Sequence, residues 1–167
     1  MRYGLISNFR RSWSKVGERT TIDSQQSFDN RYLFSAVSPL SGESFHLMGI
    51  DGFDSAAAHV FLTELKKQHH NKTVIVVWDN APCHRPVIHR EIEGMIVLFL
   101  PPYSPELNPA ERFFEEIRKA MANQIFKSIE EQEQAIETRL NELADDTHAM
   151  KQLLGYEWIL TQTEGVS

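Results

Sequence analysis

The chain holds one cysteine, Cys83, so an internal disulfide is excluded and a reducing cytosol is the expected compartment. No run approaches 18 consecutive apolar residues, so no membrane-spanning helix and no membrane partner are expected. The opening Met1-Arg2-Tyr3-Gly4-Leu5 has neither the apolar stretch nor the small-residue cleavage site of a secretory signal. Internal repeats, low-complexity tracts and obvious linkers are also absent, which favours one continuous domain over the 167 residues. Apolar residues at 41% and charged residues at 24% suit a globular chain rather than a disordered one. Excess positive charge is lacking too, and a net charge of -6 argues at first sight against nucleic acid. The distribution changes that reading. Residues 1–31 carry Arg2, Arg10, Arg11, Lys15, Arg19 and Arg31 against Glu18, Asp23 and Asp29, whereas residues 128–146 carry seven carboxylates against Arg139 alone. Without a motif, both runs read as solvated surface.

Short apolar-aromatic runs at Arg31–Ser38 and Glu43–Ile50, joined by Pro39-Leu40-Ser41-Gly42, predict two antiparallel strands. Asp54 caps a helix whose apolar stripe is Ala57, Val60, Phe61 and Leu65. Thr73–Trp78 and Met95–Leu100 are apolar on both faces, which predicts strands covered by helices on each side. A short helix is expected between them. Further helices follow over Asn108 to about Gln124, from Ser128 in a capping box with Glu131, and over Met150–Leu160. The buried stripes are Phe113, Phe114, Ile117 and Met121, then Ile129, Ile136, Leu140 and Leu143. This order gives an α/β fold with a mixed sheet.

Two residues stand out chemically. Asp79 directly follows an apolar strand, where ligands of open α/β sheets gather, although Asp79-Asn80-Ala81-Pro82 also reads as a plain turn. Glu111 lies three residues beyond Asn108 at a helix start marked by Pro109, where it either serves chemistry or closes a capping box. Glu106, Glu115 and Glu116 lie nearby, on other helical faces. Cys83 and His84 have too few partners for a zinc site, and Cys83 reads as a small apolar filler.

The segments Val76-Val77-Trp78-Asp79-Asn80-Ala81-Pro82-Cys83-His84 and Leu100-Pro101-Pro102-Tyr103-Ser104-Pro105-Glu106-Leu107-Asn108-Pro109-Ala110-Glu111-Arg112 together resemble the endonuclease domain of the DDE transposases. The resemblance is to the bacterial insertion-sequence 630 family, related to mariner elements. It extends upstream through Trp13, Gly17-Glu18-Arg19 and Tyr32–Val37, and fades after about Lys119. It implies a ribonuclease-H-like mixed sheet flanked by helices, with an endonuclease domain over residues 1–127 and a helical extension of it over 128–167. Asp79 and Glu111 correspond to the family's second aspartate and terminal glutamate, both catalytic and both ligands of Mg²⁺ or Mn²⁺. Hard cations of this kind take carboxylate oxygens, and a pair of them stabilises the attacking and leaving oxygens of phosphodiester cleavage. DNA is then the partner, with Arg2, Arg10, Arg11, Lys15 and Arg19 along its backbone, in a bacterial cytoplasm at the nucleoid.

The family carries its first aspartate as Asp-Glu at the end of the first, central strand, directly before a segment similar to Met1-Arg2-Tyr3-Gly4-Leu5, and no residue here matches it. Asp51 is a poor substitute. In the family's sheet order it follows a strand two positions from the missing one, a displacement of ~9.6 Å at ~4.8 Å per strand, too far for a metal shell with bonds near ~2.1 Å. The resemblance therefore implies an N-terminally incomplete transposase domain that lacks the first central strand and is inactive alone. Its origin would be a late start, a frameshift or a decayed element. Two other readings are another nuclease of the same fold, and a non-catalytic module that pairs with itself or with full-length transposase through the Ser128–Asp146 helix or an exposed sheet.

Overall fold

The computed structural model describes residues 1–19, 21–80 and 91–163. Cys83, His84 and the short helix expected between the two apolar strands lie outside the described residues. The elements run β1 (Arg2–Ile6), β2 (Gln26–Val37), β3 (Ser44–Ile50), α1 (Ser55–Gln68), β4 (Val74–Trp78), β5 (Met95–Phe99), a 3₁₀ turn (Pro105–Leu107), α2 (Pro109–Met121), α3 (Ile129–Asp145), α4 (Thr147–Leu154) and α5 (Glu157–Thr163).

Strand β1 has no counterpart among the sequence expectations, because five residues with only Tyr3 and Leu5 turned inward are too short to show a period. It pairs antiparallel with β2 through Arg2↔Tyr32 and Gly4↔Asn30. A Cβ at Gly4 would meet Asp29 O at 2.4 Å, so only glycine admits that approach. Strand β2 begins before Arg31 because its polar first part, Gln26–Asn30, is held by β1 rather than by a core. β2 also pairs antiparallel with β3, while β4 and β5 form a parallel pair. The mixed sheet is thus built in two hydrogen-bonded pieces, β1-β2-β3 and β4-β5.

The alternation of β2 divides the interior. Leu33 points into a core shared with Tyr3, Leu5, Phe113, Ile117, Ile136 and Met150, which joins the three-stranded sheet to α2, α3 and α4. Phe34 points the opposite way, against Ala58, Phe61 and Leu62 of α1, with Val76, Trp78, Met95 and Val97 closing the cluster. Full burial of side chains such as Phe113 and Ile117 contributes roughly 1.5–3 kcal/mol each.

Three expectations are corrected. The buried stripe of α1 is Ala58, Phe61, Leu62 and Leu65, rotated from the expected one so that Val60 is exposed. Strands β4 and β5 are covered on one face, and Ile75, Val77, Ile96 and Leu98 are about half exposed on the other. The Met150–Leu160 stretch is two helices broken at Gly155, whose amide bonds to Lys151 O at 2.7 Å and where a Cβ would meet that oxygen at 2.6 Å.

Candidate active site

Asp79 leaves the C-terminal end of β4. The neighbouring strand end is kept level with it by a hydrogen bond from Leu100 N to Trp78 O of 2.7 Å. Pro101 and Pro102 stop β5, and the chain passes through Tyr103, whose positive φ of 58° and fully exposed ring mark a sharp turn, into the 3₁₀ turn. Asn108 caps α2 by accepting from Ala110 N at 3.0 Å, and Pro109 starts the helix. That places Glu111 in the first turn of α2, where the helix dipole favours a carboxylate.

The capping-box alternative for Glu111 is not realised. The Asn108 amide bonds to Pro105 O at 3.0 Å, and Glu111 Oε2 lies 3.4 Å from Arg118 Nη2. The Glu111 carboxylate is therefore turned along the helix and not back to the cap.

Asp79 and Glu111, 32 positions apart, both act on one nitrogen. Burial pushes the Met1 amine down to about 6, while the charges of Glu111 and Asp79 work in the opposite sense and Arg118 works with burial. The amine donates to Leu33 O at 2.6 Å, which fixes it at the side of β2. The charges of both carboxylates are thus felt at the start of β1.

Asp51 is elsewhere. It is 92% exposed and faces Arg31 at 3.7 Å. Arg31 also meets Glu133 at 2.8 Å and Glu130 at 3.4 Å, and so pins α3 to the sheet.

The basic residues divide. Arg2 is exposed on β1 and borders a cleft of about 320 Å³ shared with Met1 and Arg118. Arg11, Lys15 and Arg19 are exposed on the long segment between β1 and β2. Arg10, on the same segment, is turned to α2, with Nη2 2.5 Å from Glu115 Oε1. Glu115 is not on another face from Glu111, as the sequence reading has it: four residues on, it shares the same stripe and also meets Arg118, at 3.5 Å. From the sequence, Glu115 is named without its place beside Glu111, and Arg118 is not named. The spacing 111, 115, 118, two carboxylates and then a guanidinium on one helical stripe, is the signal that could have placed them together.

Comparisons to known proteins bear on the family and the fold. The chain belongs to the DDE superfamily endonucleases, whose family model matches residues 2–133. A curated protein named uncharacterized protein y4pE/y4sA, from Sinorhizobium fredii (strain NBRC 101917 / NGR234), is 29% identical over 102 residues, covering 60% of this chain and 75% of that protein. Among solved structures, a chain in the crystal structure of the Mos1 strand transfer complex superposes with a TM-score of 0.59 at 21% identity, covering 91% of this chain. This chain spans 50% of the length of that one. The fold is accordingly the ribonuclease-H-like α/β arrangement. No helix among the described residues is long and apolar enough to cross a membrane.

DDE superfamily endonucleases act with divalent metal ions. Among the described residues no group of three His, Cys, Asp or Glu side chains could hold one. Two carboxylates still suit one hard cation that keeps several waters or takes phosphate oxygens, but they do not suffice for a bridged pair.

Proposed function

We propose that this chain is the catalytic domain of a transposase of the insertion-sequence 630 type, whose parent reaction is metal-dependent DNA cleavage and strand transfer. Residues 1–127 form the endonuclease domain and residues 128–167 extend it. The observation that supports the reading is the placement of Asp79 directly after β4, whose end is level with that of β5, and of Glu111 in the first turn of the helix that follows, with the charges of both felt at the Met1 amine. In this reading both are catalytic residues that hold Mg²⁺ or Mn²⁺, and the cation's role is to polarise the scissile phosphate and stabilise its leaving oxygen. Asp79 contributes from the rigid end of β4. Glu111 contributes from the first turn of α2, whose N-terminal amides favour anionic groups. DNA lies with its backbone along Arg2, Arg10, Arg11, Lys15 and Arg19.

In this reading the site has two assigned carboxylates and no third among the described residues, so the chain alone does not cleave. The test is a nicking assay on element-end DNA in Mg²⁺ or Mn²⁺. It compares the 167-residue chain, a version extended before Met1 by a strand ending in Asp-Glu and a DNA-binding region, and that version carrying Asp79→Ala. Cleavage by the extended version only, lost on Asp79→Ala, is expected. Equal cleavage by the short chain would mean that another residue supplies the third carboxylate.

A second reading, a non-catalytic module that pairs with itself or with a longer transposase, is favoured by the open apolar face of β4 and β5. Dimerisation with no metal-dependent cleavage by any version would support it.

A further inference from the structure

Glu111, Glu115 and Arg118 lie on one stripe of α2, and the stripe continues off the helix to Arg10. Arg118 is shared almost evenly, 3.4 Å from Glu111 through Nη2 and 3.5 Å from Glu115 through Nη1. Glu115 is shared too, since its other oxygen lies 2.5 Å from Arg10. That contact lowers the Glu115 carboxyl below the usual range, with Arg10 the largest cause. The position of Arg10 does not depend on the ion pair. Its amide donates to Asn123 Oδ1 at 2.9 Å and its carbonyl accepts from Asn123 Nδ2 at 3.2 Å, which fastens the segment between β1 and β2 to the end of α2. The four side chains are partly exposed, so the pairs are weak and open to competition by a stronger anion or cation.

We propose that Arg118 is a positioning residue for Glu111, and that the series Arg10, Glu115, Arg118 couples a DNA phosphate bound at Arg10 to release of the Glu111 carboxylate. The proposal rests on Glu111 as a metal ligand. A phosphate that engages the Arg10 guanidinium takes it from Glu115. Glu115 then keeps Arg118 to itself, and the guanidinium that was divided between two carboxylates is drawn towards one. Glu111 loses its cationic partner when DNA is in place, and its oxygens become available to a divalent cation. Without DNA, Arg118 both occupies Glu111 and adds a positive charge beside the site, which disfavours cation binding there. The arrangement makes metal occupancy follow substrate rather than precede it.

The test is a Mn²⁺ titration of the full chain, read as paramagnetic broadening of the Glu111 amide resonance. Arg118→Gln should tighten Mn²⁺ binding roughly two- to fivefold, the range of a surface ion pair. Arg10→Gln, which imitates loss of that guanidinium to phosphate, should also tighten it. In a Glu115→Gln background the effect of Arg10→Gln should vanish, since the link is gone. An unchanged Mn²⁺ affinity in Arg118→Gln overturns the proposal. So does an Arg10→Gln effect of equal size with and without Glu115, which would be long-range charge alone. Asp79→Ala separates the two levels: if broadening at Glu111 survives it at full affinity, the shared carboxylate site fails, whatever the outcome of the Arg10 and Glu115 comparison.

Discussion

The imidazole of His46 lies flat against the ring of Phe113, with centroids 5.0 Å apart and 5° between the planes. This stack joins β3 to the core side of α2, two residues beyond Glu111. Both ring nitrogens reach hydroxyls, Nδ1 to Ser35 Oγ and Nε2 to Ser44 Oγ, each at 3.0 Å. Burial pushes His46 down to about 4 from 6.5. The folded protein therefore holds the ring neutral, whereas the unfolded chain takes up a proton once pH falls below about 6.5. Stability from this group is complete above that pH and is lost as pH falls towards 4, by up to about 3 kcal/mol. Thermal unfolding between pH 7 and pH 4 should show this decline, and His46→Gln should flatten it. An equally steep decline in the variant would remove His46 as its source.

The turn between β2 and β3 sets a second expectation. Gly42 has φ 75°, its amide bonds to Ser38 O at 2.8 Å, and a Cβ there would meet Thr147 O at 2.3 Å. The first residue of α4 is thus seated on the turn itself. Gly42→Ala meets both a left-handed backbone and a backbone oxygen, and should destabilise by at least about 2 kcal/mol. Denaturant unfolding measures it, and a loss under half that size would show that α4 moves away at little cost.

Helix α2 and the two parallel strands were legible in the sequence because strong local signals agreed there: Asn108 and Pro109 at the helix start, continuous apolar runs in β4 and β5, and Pro101-Pro102 as a stop. The places of Asp79 after β4 and of Glu111 in the first turn of α2 were legible for the same reason, since both elements are well marked. Strand β1 was not, because Arg2–Ile6 is strand through its pairing with residues 26–32 of β2, a non-local contact, and is too short to show a period of its own. The α1 stripe was misplaced by one residue because Val60 and Leu62 are equally apolar, so only the position of Phe34 decides which of them faces inward. The exposure of Ile75 and Val77 contradicts their composition outright. An apolar strand reports that a face needs cover, not that this chain covers it.

That open face gives a third prediction. Ile75, Val77, Ile96 and Leu98 form a contiguous apolar surface on paired strands, and β4 has no hydrogen-bonded strand partner other than β5 among the described residues. Surfaces of this kind associate. Val77→Lys combined with Ile96→Glu should leave the unfolding midpoint nearly unchanged, because both side chains are about half exposed already, while it reduces self-association in sedimentation. A large fall in stability would mean that the face is packed in the folded protein.

The segment between β1 and β2 gives the last. It presents Arg11, Lys15 and Arg19 to solvent together with a fully exposed Trp13, while its Arg10 is turned back to α2. Cations that each neutralise one phosphate contribute about 0.9 apiece to the slope of log affinity against log salt. Arg11→Gln with Lys15→Gln should therefore weaken duplex binding at low salt and reduce that slope by about 2, with little dependence on sequence. Arg10→Gln should behave differently, because its loss also leaves Glu115 without its closest cation, so the remaining carboxylate repels the same phosphates. Its effect on DNA affinity should exceed that of Arg11→Gln, and Glu115→Gln should restore part of the difference. Fluorescence anisotropy over a salt series measures all four variants. An unchanged slope in the Arg11 and Lys15 double variant would place the DNA backbone on another surface, and equal effects of Arg10→Gln and Arg11→Gln would show that Glu115 does not face it.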